Sequence, residues 1–340
     1  MRLLILGGTV FLGRQLVEEG IGRGHDVSIF HRGHHGADLF ADRPVTRLVG
    51  DRNGDLAALG GSTTWDAVID CSGQLPRHVR ATADALAGRV GHSTFVSSIS
   101  VYADASKPGL DESAPLEQLP DPDVEGMEHY GGLKAASEAA LLDRAGTGGA
   151  GAVRCVRPGL IVGPFDPSGR FTWWPVRAAR GGPMLVPGRP DRAVQVIDAR
   201  DLAWFLLDGA EAGADGVVHV SGPAEGTLTM GAVITACVDA AVAAGRDPAD
   251  PVWVRDEAAL VEAGAGPWME LPLWLPEDSE AGGLMEVDLS RARAQGLRTR
   301  PISEIAADTL AWATEAGDGA IPAGSGIDPV KEAALLDQLA

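Results

Sequence analysis

The stretch Arg2-Leu3-Leu4-Ile5-Leu6-Gly7-Gly8-Thr9-Val10-Phe11-Leu12-Gly13 decides the fold. Its first half is an almost wholly apolar run, the pattern of a strand buried on both faces of a parallel sheet. Its second half is a glycine turn, and from Phe11 to Arg23 apolar residues recur at helical spacing, with Leu12, Leu16, Val17 and Ile21 on one side. A strand that turns through glycines into a helix lets the backbone approach a pyrophosphate, and the helix amino terminus offers free N–H groups and the positive end of its dipole. Gly7, Thr9, Val10, Phe11, Leu12 and Gly13 are therefore candidate phosphate-binding residues.

Outward from that unit the alternation continues. Strand-like runs fall at Val27–Phe30, Arg47–Val49, Ala67–Asp70, Thr94–Ser97 and Ala152–Arg157, with helices expected over Pro76–Arg89 and Met127–Arg144. Strand-helix alternation of this kind implies an α/β fold with a doubly wound parallel sheet of the Rossmann type, here residues 1–160. Past residue 160 glycine and proline break the rhythm. A strand at Val194–Ile197, a helix at Ala199–Gly213 and a strand at Val217–Val220 suggest that 194–225 return to the first domain. The rest of 161–317, with a helix near Thr229–Ala244 and a Trp- and Pro-rich stretch at Pro267–Pro276, reads as a smaller substrate lobe. Asp318–Ile327 reads as a linker, and Asp328-Pro329 opens a terminal helix to Ala340.

The second strand ends Ile29-Phe30-His31-Arg32 without the carboxylate that would bind the 2′-hydroxyl of NAD. Arg32 is placed to stack on adenine and pair with a 2′-phosphate, a lean towards NADP, unless it is a solvated loop arginine. At the end of the third strand Asp51 and Arg52 would lie near the adenine amino group, and Cys71-Ser72-Gly73 under the adenosine ribose and pyrophosphate.

Tyr130-Gly131-Gly132-Leu133-Lys134 sets a phenol and an ammonium four residues apart on one helix face. The chain has only two tyrosines and three lysines in 340 residues, so such a pair arises by chance about 0.02 times. A phenol of ordinary pKa about 10 is a poor base at neutral pH, and a cation held beside it favours the phenolate. Upstream, Ser97-Ser98-Ile99-Ser100-Val101-Tyr102 places serines at the carboxyl end of a central strand, where open α/β sheets bind ligands.

Together these motifs, with Arg157-Pro158-Gly159, Gly163-Pro164 and Val196-Ile197-Asp198-Ala199-Arg200-Asp201, resemble the short-chain dehydrogenase/reductase superfamily in its extended branch of NAD(P)-dependent epimerases, dehydratases and reductases. The resemblance implies Ser98 as the catalytic serine, Tyr130 as acid/base, Lys134 as the residue that lowers the tyrosine pKa and holds the nicotinamide ribose, and Pro158 and Gly159 beside the carboxamide. It implies hydride transfer at a secondary alcohol or ketone of a small, sugar-like or hydrophobic molecule, and a homodimer through the helix of Tyr130 and the one before it. A non-catalytic dinucleotide sensor or an RNA-binding relative is the rival reading. Two positions depart from the pattern. Val10 stands where the family has its middle glycine, and Val194 where sugar-nucleotide epimerases place a diphosphate-binding arginine. Ser100, Phe171, Trp174 and Arg192 are candidate substrate contacts, the aromatics either facing the cleft or filling the lobe core. Arg170 and Arg189 are further candidates for an anionic substrate.

The composition bounds the rest. A net charge of −19 argues against a nucleic-acid or anionic-membrane surface. Three scattered cysteines without CxxC spacing encode neither a disulfide framework nor a metal site, and with no long apolar span they suit the cytoplasm.

Overall fold

The computed structural model describes residues 1–36, 38–121, 123–145 and 149–339. The amino-terminal part runs β1 (Arg2–Leu6), α1 (Phe11–Gly22), β2 (Asp26–His31), β3 (Val45–Val49), β4 (Trp65–Asp70), α2 (Pro76–Ala85), β5 (Val90–Val96), α3 (Tyr130–Leu142) and β6 (Ala152–Pro158). It continues with β7 (Leu160–Val162), α4 (Trp173–Ala178), β8 (Pro183–Pro187), β9 (Val196–Asp198), α5 (Ala199–Ala212) and β10 (Gly216–Val220). The carboxyl-terminal part holds α6 (Met230–Ala243), β11 (Asp250–Val254), α7 (Glu257–Glu262), α8 (Ser290–Ala294), α9 (Ile302–Ala316) and α10 (Pro329–Leu339).

Seven strands form one sheet in the order β3-β2-β1-β4-β5-β6-β10, every neighbouring pair parallel. The chain leaves β1 in one direction to β2 and β3, then crosses back to β4, so the switch point lies between β1 and β4. The carboxyl ends of those strands open a crevice there. Leu3, Leu4 and Ile5 are wholly buried because helices cover both faces. On one face α1 and α5 bring Leu16, Val17, Leu202 and Leu206 onto Leu3, Ile5, Ile29 and Ile69. On the other, Val79 of α2 and Leu141 of α3 meet Phe95, Val153 and Cys155.

A second core holds the rest of the chain together. Phe171, Trp173 and Trp174 pack there with Leu185, Val233, Ile234, Trp274, Ile305 and Leu310, so α4, α6 and α9 share one apolar centre. The segment 318–327, expected as a linker, is anchored through Ala320 and Ile327, both buried. Asp328 caps the terminal helix, accepting from the Val330 N–H at 2.9 Å, and the expected last helical residue, Ala340, lies outside the described residues. No helix among the described residues is long and apolar enough to cross a membrane.

The helix expected over 127–144 is divided. Met127–His129 form a 3-10 turn and α3 begins at Tyr130. The phenol therefore stands at a helix amino terminus with no acidic residue in the first turn, where the dipole favours a negative charge.

Candidate active site

The turn after β1 is built to receive an anion. A side chain at Gly8, which has φ +98°, would put its Cβ 2.7 Å from Cγ2 of Ile29, and one at Gly13 would lie 2.5 Å from the Gly8 nitrogen. Only glycine lets helix and strand approach so closely. Val10 is the N-cap of α1, extended at φ −132°, with no side-chain cap and no acidic residue in the first turn. The first N–H groups of α1 are thus free of side-chain caps, and a valine at the family's middle-glycine position carries no backbone strain. Phe11, at φ +41°, takes the left-handed conformation instead.

These residues line a cleft of about 550 Å³ that continues past Arg32, Asp51, Arg52, Cys71, Ser72 and Gly73 to Ser97, Tyr130 and Lys134. Asp70, at the carboxyl end of β4, organises its floor. The carboxylate accepts from the Ser72 and Gly73 N–H groups at 3.0 and 2.8 Å and from both guanidinium ends of Arg52 at 2.8 and 2.7 Å. Arg52 is thus committed to Asp70, and Asp51 caps its own turn by accepting from the Asn53 N–H at 2.9 Å. The Cys71 thiol donates to the Leu6 carbonyl, and burial pushes its pKa up to about 12, so it is held as an inert thiol. Arg32 is exposed at the mouth. Beside it the His31 Nδ1 accepts from the Gly33 N–H at 3.1 Å, and burial together with the Arg47 charge keeps that imidazole below its usual pKa.

Lys134 is buried at the far end. Its Nζ donates to the Gly73 and Val96 carbonyls at 2.8 and 2.9 Å, tying the ends of β4 and β5 to α3. Two of three N–H groups are used, which leaves one for a ligand. Burial pulls its pKa down to about 8, against the raising influence of Asp70. The ammonium lies 6.0 Å from the centre of the Tyr130 ring. Burial raises the phenol's pKa, and the groups that pull it back down are the neighbouring Ser98 hydroxyl and the charge of Arg170. The lowering expected from Lys134 is therefore carried in this structure by Ser98 and Arg170.

Ser98 has two roles. Its Oγ caps the turn Ile99–Val101 by accepting from the Ser100 N–H at 3.1 Å, and its hydroxyl donates to Ser100 Oγ at 3.1 Å. Ser97, and not Ser98, is among the residues that line the cleft, and its buried hydroxyl has no partner among the described residues.

Several expected contacts are relocated. Pro158 and Gly159 sit at the β6–β10 edge, where a side chain on Gly159 would strike Oγ of Ser221, and Ile161 and Pro167 line the cleft in their place. Phe171 and Trp174 are wholly buried, with the Trp174 Nε1 donating to the Pro272 carbonyl at 2.9 Å, because the second core needs its largest side chains at its centre. Arg192 is buried against Glu257 at 2.8 Å and the Leu275 carbonyl, so its charge is already neutralised. Ser100 is tied to Ser98 by its backbone N–H and its hydroxyl. Asp70, His31 and Pro167 escaped the sequence reading. The first two end parallel strands at the crevice, which is the signal that marks them.

A second cavity, of about 460 Å³, lies between Val196–Asp201 and Leu297–Ile305. Its charges are matched internally, Arg300 pairing with both Asp198 and Asp201 at 3.1 Å. Among the described residues no group of three or more His, Cys, Asp or Glu is placed to hold a metal.

A parallel sheet with this strand order, a glycine cradle at its switch point and an uncapped helix facing the cleft define a dinucleotide-binding α/β protein. The chain belongs to the NAD-dependent epimerase/dehydratase family, whose model matches residues 3–221. It is 28% identical over 259 residues to the chloroplast stem-loop binding protein of 41 kDa b from Arabidopsis thaliana, a match over 70% of this chain and 63% of that protein's length. The fold is similar to that of the UDP-Glc/GlcNAc 4-epimerase of Campylobacter jejuni, with TM-score 0.67, 16% identity and 92% and 99% of the two chains covered. It is similar also to the UDP-glucose 4-epimerase of Thermus thermophilus in complex with NAD, with TM-score 0.64, 19% identity and 93% and 100% covered.

Proposed function

We propose that the protein is an NAD(P)-dependent oxidoreductase or epimerase that acts at a secondary alcohol or ketone of a small molecule, with residues 1–160 and 194–225 holding the dinucleotide and 161–317 the substrate. The observation that carries this is Tyr130, at a helix amino terminus, together with Lys134 on the cleft that the glycine turn opens. The residues fit the dinucleotide. The free N–H groups of α1 suit the pyrophosphate, the glycine cradle admits it, and the remaining N–H of Lys134 suits a ribose hydroxyl. When bound, the nicotinamide supplies the centre that accepts or returns hydride.

The chain's own part is proton transfer. Tyr130 removes the hydroxyl proton of an alcohol as the alcohol is oxidised, or returns one to a ketone as it is reduced, and the Ser98 hydroxyl hydrogen-bonds the same oxygen. Arg32, with no carboxylate at the end of β2, supports a 2′-phosphate and hence NADP. The same reading makes α3 the contact for a second copy and the cytoplasm its compartment.

Titration with NAD and NADP, followed by assay of Tyr130→Phe, tests the proposal. Turnover falls below detection in the variant while cofactor affinity stays within about twofold. Wild-type turnover in Tyr130→Phe would remove the acid/base assignment. The Arabidopsis relative's name supports a second reading, a nucleic-acid-binding protein on this fold, against which stand the charge of −19 and the Tyr130/Lys134 pair. Binding of neither dinucleotide would favour it.

A further inference from the structure

Arg170 lies on the segment that leaves β7, three residues after Pro167, which lines the cleft. Its guanidinium carbon sits 5.2 Å from the centre of the Trp268 ring. The platform is itself constrained. Trp268 is held at φ +66° by its N–H donating to the Trp274 carbonyl at 3.0 Å, a backbone conformation that a bulky residue rarely adopts.

Among the described residues the Arg170 side chain has no hydrogen bond and no ion pair, and its Nε is buried without a partner. Three other arginines of this lobe are matched: Arg189 with Asp191 and Glu277, Arg192 with Glu257, and Arg177 with Glu332. Asp166, the carboxylate whose charge Arg170 influences, is buried with its oxygens accepting from the Ser168 N–H and hydroxyl at 2.8 and 2.9 Å. The Arg170 charge reaches Tyr130, where it favours the phenolate.

We propose that Arg170, stacked on Trp268, binds an oxyanion of the substrate, a carboxylate or a phosphate ester carried on the same skeleton as the carbinol that Tyr130 serves. The proposal rests on the oxidoreductase reading above and names its substrate class. A planar guanidinium with its N–H fork unengaged meets either group through two parallel hydrogen bonds, and the indole beside it holds it by a cation–π contact without neutralising it. Val194, buried in the second core, provides no charge for a remote diphosphate, which leaves the anion to the reacting end.

Calorimetric titration of the cofactor-saturated protein tests this with gluconate and 3-hydroxybutyrate as carboxylates, glycerol 3-phosphate as the phosphate ester, and glucose, methyl 3-hydroxybutyrate and glycerol as uncharged matches. Wild type binds at least one anionic probe more tightly than its match, and the probe that binds separates carboxylate from phosphate. Arg170→Gln loses about tenfold or more of that affinity, Arg170→Lys recovers part of it, and both keep wild-type cofactor affinity and melting temperature. Wild-type protein that shows no preference for any anion, or Arg170→Gln that binds the anion as well as wild type, overturns the proposal. Failure of the cofactor to bind strikes instead at the oxidoreductase reading, so the two failures are distinguishable.

Discussion

Lys134 carries an ordinary side chain into an unusual place. Buried between two carbonyls, it titrates near 8 in the folded protein and near 10.5 in the unfolded chain. Between those values the unfolded chain binds the proton and the folded one does not, so this group's contribution to stability rises with pH across that window. The melting temperature of wild type should therefore gain on that of Lys134→Met between pH 8 and 10, and a constant difference would refute the assignment. The lysine was legible in the sequence because it is one of three and stands four residues after one of two tyrosines. Arg170 could not be ranked above Arg189 and Arg192 in the same way. What distinguishes it is the presence or absence of a carboxylate partner, and those partners lie up to 155 residues away, as for Arg177 and Glu332.

At the scale of elements, α3 is fixed by a buried pair. Both ends of the Arg157 guanidinium on β6 donate to Glu138 on α3 at 2.9 and 2.7 Å, and Arg157 also donates to the Tyr102 hydroxyl at 2.8 Å. The side chains are 3% and 2% exposed, so removing one partner strands a buried charge. Glu138→Ala should cost about 3 to 5 kcal/mol, whereas Glu138→Leu with Arg157→Met should cost less than either single change. Chemical denaturation measures both, and a single variant within about 1 kcal/mol of wild type would show the pair to be dispensable. The sheet elements were legible because their apolar runs are buried on both faces. The helix α9 was not, since five of its fifteen residues are alanine and a threonine, Thr309, sits in its buried face, which flattens the periodicity. The strands β8 and β11 carry prolines at Pro183, Pro187 and Pro251, which read as breaks in a sequence and are tolerated in a two-stranded ribbon.

Across the whole molecule the charge of −19 is spread over a surface whose basic residues are mostly already paired. Such a surface repels itself, and salt screens that repulsion as the Debye length shrinks from about 30 Å at 0.01 M to about 8 Å at 0.15 M. The melting temperature should rise by a few degrees over that range, and a fall would mean that surface ion pairs outweigh the net repulsion. The two cores are joined through the segment 163–170. Phe165 of that segment lies under the Arg14 guanidinium of α1 at 3.8 Å and 5.5 Å from the Trp312 ring of α9, so it touches both the helix that follows the glycine turn and α9 of the second lobe. The rarity of lysine has one more consequence. Besides the amino terminus, an acylating reagent meets exposed Lys107, Lys331 held by Glu270, and Lys134 at the foot of the cleft. Acylation at residue 134 is thus a footprint of an empty cleft, readable by mass spectrometry on a peptide background almost without other amines.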